Sequence, residues 1–173
     1  MEKYIPDVYQ KSIYTIDYQK LKSSGIHCLL FDLDNTLVPA SVKVPNKKIK
    51  ELFEDLKEQG FQLILFSNSP KKRVKAFADQ LAIGYISSAM KPLSAKFQKV
   101  MKKYHYEESE VAIIGDQMLT DILGGNKAGI TTVLVNPVSK HDMVFTKVNR
   151  FLEERIMHKL REKDLFVKGK YYD

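Results

Sequence analysis

One cysteine and four histidines are all that this 173-residue chain offers of the residue types that build disulfide frameworks, thiolate metal sites and histidine metal centres. Cys28 alone excludes an internal disulfide or a site needing two thiolates. It sits within an apolar run, so packing is its expected role. His27, His105, His141 and His158 show no ligand spacing, and none is assigned a role. Long apolar runs are also lacking. None approaches the roughly 18 residues that cross a bilayer, and the opening MEKYIPDVYQKS has no apolar signal core. The expectation is a cytoplasmic protein, with contact at the inner face of a membrane being peripheral if it occurs.

Acidic residues are in the minority: 28 lysines and arginines face 21 aspartates and glutamates, for a net charge of +7. Such a surface favours anionic partners, whether phosphoesters, nucleic acid or acidic lipid, and composition does not choose among them. The length fits one domain with a core large enough to stand without disulfides. Within 1–173, residues 1–25 read as an N-terminal arm, 26–136 as the motif-bearing core, and 137–173 as a C-terminal helix and tail.

No repeat or low-complexity segment interrupts the chain. Apolar runs at 26–31, 61–66, 83–86, 111–114 and 130–135 alternate with amphipathic stretches, the pattern of an α/β fold with a parallel sheet. Helices are expected over Pro45–Gln59, Pro70–Ala82, Pro92–Tyr104 and Met118–Ala128, with proline near several starts and Gly60 after the first.

Charge stands in an unusual place at the end of the first run, in Phe31-Asp-Leu-Asp-Asn-Thr-Leu37. Side chains two apart in extended chain share a face, so Asp32 and Asp34 can address one small polar target. Two carboxylates about 4 Å apart repel by roughly 4 kcal/mol at an effective dielectric of 20, which calls for a divalent cation. The alternative, a turn whose Asp, Asn and Thr cap a helix, weakens as further strand ends carry polar groups. Phe61–Phe66 leads into Ser67-Asn68-Ser69-Pro70, Met90 precedes Lys91-Pro92, and Val111–Ile114 leads into Gly115-Asp116, with Asp121 and Gly124-Gly125 following.

These four stretches, in this order, resemble the motifs of the haloacid dehalogenase (HAD) superfamily of aspartyl-phosphate phosphatases. Phe-Thr-Lys-Val-Asn-Arg-Phe-Leu-Glu at 145–153 is similar to the YqeG family of subfamily IIIA, which is related to mitochondrial phosphatidylglycerophosphate phosphatases. The resemblance implies a three-layer Rossmann-like fold with a five-stranded parallel sheet of order 5-4-1-2-3, placing Asp32 on the central strand. Only about 32 residues separate Asp34 from Ser67, and a helix and a strand fill them, so the expected fold is capless and its site open.

Residue chemistry and resemblance agree on roles. Asp32 is the expected nucleophile and Asp34 the general acid and base. Mg²⁺ is expected on Asp32, Asp116 and the carbonyl of Asp34, with Asp121 ligating directly or through water. Ser67 and the amide of Asn68 are expected to bind phosphate at a helix start, although Ser67 alone would read as an ordinary cap. Lys91, preferred over Lys96, would neutralise the transferring group.

The favoured substrate is phosphatidylglycerophosphate, on family grounds. The alternatives are a soluble phosphatase for a sugar phosphate, nucleotide or nucleic acid 3′-phosphate, and a non-catalytic basic binding module. Lysines 47, 48 and 50 and Lys71-Lys72-Arg73 open helices where cations oppose the macrodipole, which predicts a basic rim facing a polyanion or an anionic bilayer. Tyr4, Tyr9, Tyr14 and Tyr18 are expected to pack the arm onto the domain. Apolar residues at 144, 148, 151, 152, 156 and 160 predict one buried face of a C-terminal helix.

Overall fold

The computed structural model describes residues 1–140 and 144–173, without the side chains of 144–146; His141 and the side chain of Val144 lie outside the described residues. In chain order the elements are β1 (Val8–Gln10), α1 (Tyr18–Ser23), β2 (Cys28–Phe31), α2 (Lys47–Glu58), β3 (Gln62–Phe66), α3 (Lys71–Leu81), β4 (Gly84–Ile86), α4 (Ala95–Tyr104), β5 (Val111–Gly115), a π-helical turn (Met118–Ile122), α5 (Leu123–Ala128), β6 (Thr131–Val135) and α6 (Val144–Glu162).

The strands form one parallel sheet of order β1-β6-β5-β2-β3-β4. The five expected strands keep the expected order, but the sheet has six. The sixth is β1, the N-terminal arm, which pairs with β6 through Val8 and Val133, Tyr9 and Leu134, and Gln10 and Val135.

Every residue of β2 is buried, as a central strand covered on both faces requires. Its side chains alternate between two cores. Leu29 and Phe31 join the α2 residues Ile49, Phe53 and Leu56 and the α3 residues Val74, Phe77 and Leu81 on one face. Cys28 and Leu30 join Phe97, Val100 and Met101 of α4 on the other. A third cluster gathers Tyr9, Met118, Ile122, Leu134, Leu160 and Phe166, seating α6 and the tail against the π-helical turn.

Register brings the site together. Phe31 is opposite Leu65 of β3 and Ile114 of β5, and the Asp32 N–H donates to the Ile114 carbonyl at 2.9 Å. Asp32, Ser67 and Asp116 therefore leave adjacent strands at one end of the sheet. The chain turns to opposite sides of β2 to make β3 and β5, so the β2–β5 crevice is a topological switch point, where α/β sheets bind ligands. Asn46 caps α2, its Oδ1 accepting from the Ile49 N–H at 2.9 Å. Between Ser67 and Lys91 stand only α3 and β4, which leaves the site open.

Two expected helices differ. The Met118–Ala128 stretch opens with the π-helical turn because the Gln117 carbonyl accepts from both Asp121 N–H and Ile122 N–H, at 3.0 and 3.3 Å. The Pro92–Tyr104 stretch becomes helical only at Ala95, since the Lys91 backbone is held instead by Asn68.

The C-terminal helix is rotated from the expected stripe. Val148, Phe151 and Leu152 are 62, 58 and 44% exposed, while Glu153 and Leu160 are buried and Arg150 is half-buried. Leu160 alone of the predicted stripe is fully buried among the described side chains.

Candidate active site

Three carboxylates, those of Asp32, Asp116 and Asp121, bring oxygens within 4.8 Å of one another, and all three residues are buried. Asp32 comes from the end of β2, Asp116 from the end of β5 and Asp121 from the π-helical turn. Gly115 is what allows Asp121 to approach. A Cβ built there would lie 2.2 Å from the Asp121 carboxyl carbon, a separation no side chain tolerates. Asp121 Oδ2 in turn accepts from the Gln117 N–H at 3.2 Å.

Lys91 enters this cluster fully buried. Its Nζ donates to Asp121 Oδ1 at 2.6 Å, to Asp32 Oδ1 at 3.0 Å and to the Phe66 carbonyl at 2.9 Å, so all three of its protons are used. Burial opposes its charge, but Asp121 and Asp32 overcome that, and the ammonium is held above its ordinary pKa. Thr36 Oγ1 lies 3.0 Å from Asp116 Oδ1 and 3.2 Å from Asp32 Oδ2, linking the two acids.

Asp34 stands apart from the other three carboxylates. Its Oδ1 accepts from Arg73 Nε at 2.8 Å and faces Arg73 Nη2 at 2.7 Å, while Oδ2 accepts a short hydrogen bond from the Ser69 hydroxyl. Arg73 also donates through Nη1 to the Val42 carbonyl at 2.7 Å. The basic rim expected at the start of α3 is thus split: Lys71 and Lys72 are exposed, while Arg73 turns inward.

Ser67 is buried at the end of β3, its Oγ accepting from the Ser69 N–H at 3.1 Å. Asn68 has a role the sequence does not announce. Its Oδ1 accepts from the Lys91 N–H at 2.8 Å and its Nδ2 donates to the Lys91 carbonyl at 3.2 Å, so its side chain clamps the backbone of Lys91.

A second cation reaches the acids from α6. Arg150 Nη2 is 2.8 Å from Asp116 Oδ2, and Nη1 is 3.7 Å from Glu153, whose Oε1 accepts from the Leu119 N–H at 3.2 Å. Arg150 lies within the 145–153 stretch and Arg73 within Lys71-Lys72-Arg73, but the sequence assigns neither a contact with the acids.

Electrostatics asks for more positive charge. Three ionised carboxylates against Lys91 and Arg150 leave an excess of one negative charge. Burial, then the charges of Asp32 and Asp121, push Asp116 well above the carboxylate range despite Arg150. Burial, then Asp32, raise Asp121 to about 7, although Lys91 works against the shift. A compact all-oxygen donor set short of positive charge fits a hard divalent cation.

Residues 40–129 match the model of the haloacid dehalogenase-like hydrolases. The chain is 38% identical to "Probable phosphatase YqeG" of Bacillus subtilis, over 92% of this chain and 93% of that protein. It is 30% identical to the chloroplastic/mitochondrial phosphatidylglycerophosphate phosphatase 1 of Arabidopsis thaliana over 82% of its own length, spanning only 43% of that longer protein. Among solved structures, 3-deoxy-D-manno-octulosonate 8-phosphate phosphatase of Moraxella catarrhalis, in complex with magnesium and phosphate, shares the fold. The TM-score is 0.55 at 23% identity, covering 71% of this chain and 74% of that one.

Proposed function

The chain belongs to the haloacid dehalogenase-like hydrolases and is a phosphatase of phosphate monoesters; from that premise we propose that it depends on Mg²⁺, works through an aspartyl phosphate on Asp32, and takes phosphatidylglycerophosphate as its substrate. The observation that carries the reading is the meeting of Lys91 with Asp32 and Asp121 beside Asp116 at the β2–β5 crevice.

Asp32 is the nucleophile. Its carboxylate oxygen attacks phosphorus in line, and the bond from phosphorus to the ester oxygen breaks. Asp34 gives its proton to that departing oxygen, then takes one from the water that attacks the aspartyl phosphate, releasing inorganic phosphate and free Asp32. Arg73 and Ser69 hold Asp34 in place for both transfers. Lys91 opposes the negative charge on the transferring group. The Ser67 hydroxyl and the Asn68 N–H bind its oxygens where β3 opens toward α3. Mg²⁺, held by Asp32, Asp116, the Asp34 carbonyl and Asp121 directly or through water, would offset charge on the phosphoryl oxygens when bound.

The lipid substrate rests on the 30% identical relative and on an open, capless site that admits a headgroup. No helix among the described residues is long and apolar enough to cross a membrane, so the lipid would be met at a surface rather than within a span. Phosphate release from a substrate panel that includes detergent-dispersed phosphatidylglycerophosphate tests the proposal. Asp32→Asn is expected to fold and release nothing, and EDTA to abolish release by the parent chain. Release from no monoester with Mg²⁺ present, or undiminished release by Asp32→Asn, would overturn it.

A further inference from the structure

Two cations divide the acid cluster between them. Lys91 donates to Asp32 and Asp121, whereas Arg150 enters from α6 and takes Asp116, its Nη2 standing 2.8 Å from Oδ2. The other oxygen of Asp116 is 3.0 Å from the Thr36 hydroxyl, so both oxygens of a fully buried side chain are engaged. Arg150 is steadied in turn by Glu153, one helical turn on, at 3.7 Å from Nη1. Glu153 also accepts from the Leu119 N–H, which lies between Asp116 and Asp121 in the chain. A guanidinium keeps its charge at every pH a folded protein meets.

That charge decides what the loaded site offers a phosphoester. The ionised carboxylates of Asp32, Asp116 and Asp121 together with Lys91 carry two negative charges, which one divalent cation would cancel. Asp34 brings its own counter-charge in Arg73. Without Arg150, nothing positive would remain to draw a phosphate monoester, which itself carries about −1.5 to −2 at neutral pH. With Arg150, the loaded site is left one charge positive. The same charge works against the metal, because a guanidinium seated on Asp116 repels a cation bound to that carboxylate. Glu153 tempers the effect, but at 3.7 Å it stands farther from the guanidinium than Asp116 does at 2.8 Å.

Resting on the Mg²⁺-dependent phosphatase reading, we propose that Arg150 sets the balance of affinities at this site: acting through Asp116, it weakens the hold on Mg²⁺ and strengthens the hold on the phosphoryl anion. A side chain that only oriented Asp116 would raise both affinities, as partners that orient metal ligands do. The two roles therefore differ in sign at the metal. Arg150→Gln subtracts one positive charge and leaves the neighbours in place, so the direction of the effect does not depend on how many partners share the guanidinium.

Titration calorimetry on the full chain tests this, first with MgCl₂ alone and then with inorganic phosphate at saturating Mg²⁺. In Arg150→Gln, Mg²⁺ is expected to bind on the order of tenfold more tightly and phosphate on the order of tenfold more weakly. Glu153→Gln removes the opposing charge and keeps an oxygen for the Leu119 N–H, so it should move both affinities the other way, and it carries the test if Arg150→Gln does not fold. Weaker Mg²⁺ binding in Arg150→Gln, or stronger Mg²⁺ binding in Glu153→Gln, would overturn the proposal, and so would a phosphate affinity that neither variant changes. The failures are distinguishable. A parent chain that takes up no Mg²⁺ would sink the metal reading and this proposal with it, whereas parent and variants that bind Mg²⁺ and phosphate equally well would sink the role of Arg150 alone.

Discussion

Arg73 forks onto a single oxygen of Asp34, through Nε at 2.8 Å and Nη2 at 2.7 Å, and leaves the other oxygen to Ser69. A carboxylate that must pass a proton in both directions gains from being held, because misplacement by about 1 Å can cost roughly 100-fold in rate. Arg73→Ala is expected to lower kcat by about ten- to 100-fold with a smaller change in KM, and to leave far-ultraviolet circular dichroism unchanged. A variant with full kcat would show that Asp34 needs no such clamp.

Gly115 and Asp121 occupy one space, since the carboxyl carbon stands 2.2 Å from where a Cβ would be. Gly115→Ala is therefore expected to push Asp121 from the cluster, costing about 1–3 kcal/mol of stability as overpacking does. Urea denaturation would measure the loss, and phosphate release should fall with it.

Divalent cations should stabilise the folded chain by relieving the excess charge among Asp32, Asp116 and Asp121. At Mg²⁺ 100-fold above its dissociation constant the gain is about 2.7 kcal/mol, visible as a rise in Tm by calorimetry. Asp116→Asn is expected to shrink that rise, and an equal rise in the variant would place the cation elsewhere.

Cys28 is held by burial at a pKa of about 12, up from 9.0. The unfolded thiol loses its proton above pH 9 while the folded one keeps it. Its contribution is thus complete below pH 9 and is lost as pH rises toward 12, by about 1.4 kcal/mol per pH unit. Cys28→Ala should flatten this part of the stability profile relative to the parent chain. In the native state at pH 8, Ellman's reagent should find no reactive thiol until urea is added.

The central architecture was legible because β2, β3 and β5 are fully or nearly fully buried, and such strands read as continuous apolar runs. Asp32, Asp116, Asp121 and Lys91 stood out because charge at the ends of such runs has few structural uses, and the structure does bring these four together. The strand β1 was not legible: three residues, Val8–Gln10, are too few for a period to show. Asn68 was read through its backbone, whereas its side chain clamps Lys91.

Hydrophobic periodicity misled most at α6. The reading assumed that apolar residues face inward, but Asp116 and the Leu119 N–H draw Arg150 and Glu153 to the inner face, which turns Val148, Phe151 and Leu152 outward. The inner and outer positions should differ in cost. Phe151→Ser is expected to change stability by less than about 0.5 kcal/mol, and Leu160→Ala to cost about 2–5 kcal/mol. Similar losses for both in chemical denaturation would contradict the rotated helix.

Tyr9 and Tyr172 exchange both backbone hydrogen bonds, at 2.8 and 2.9 Å, on the outer side of β1. That pairing closes the middle of an edge strand, so a foreign β-segment can extend the sheet there only after Tyr172 has peeled away. The chain's own last residues act as its guard against edge-to-edge aggregation.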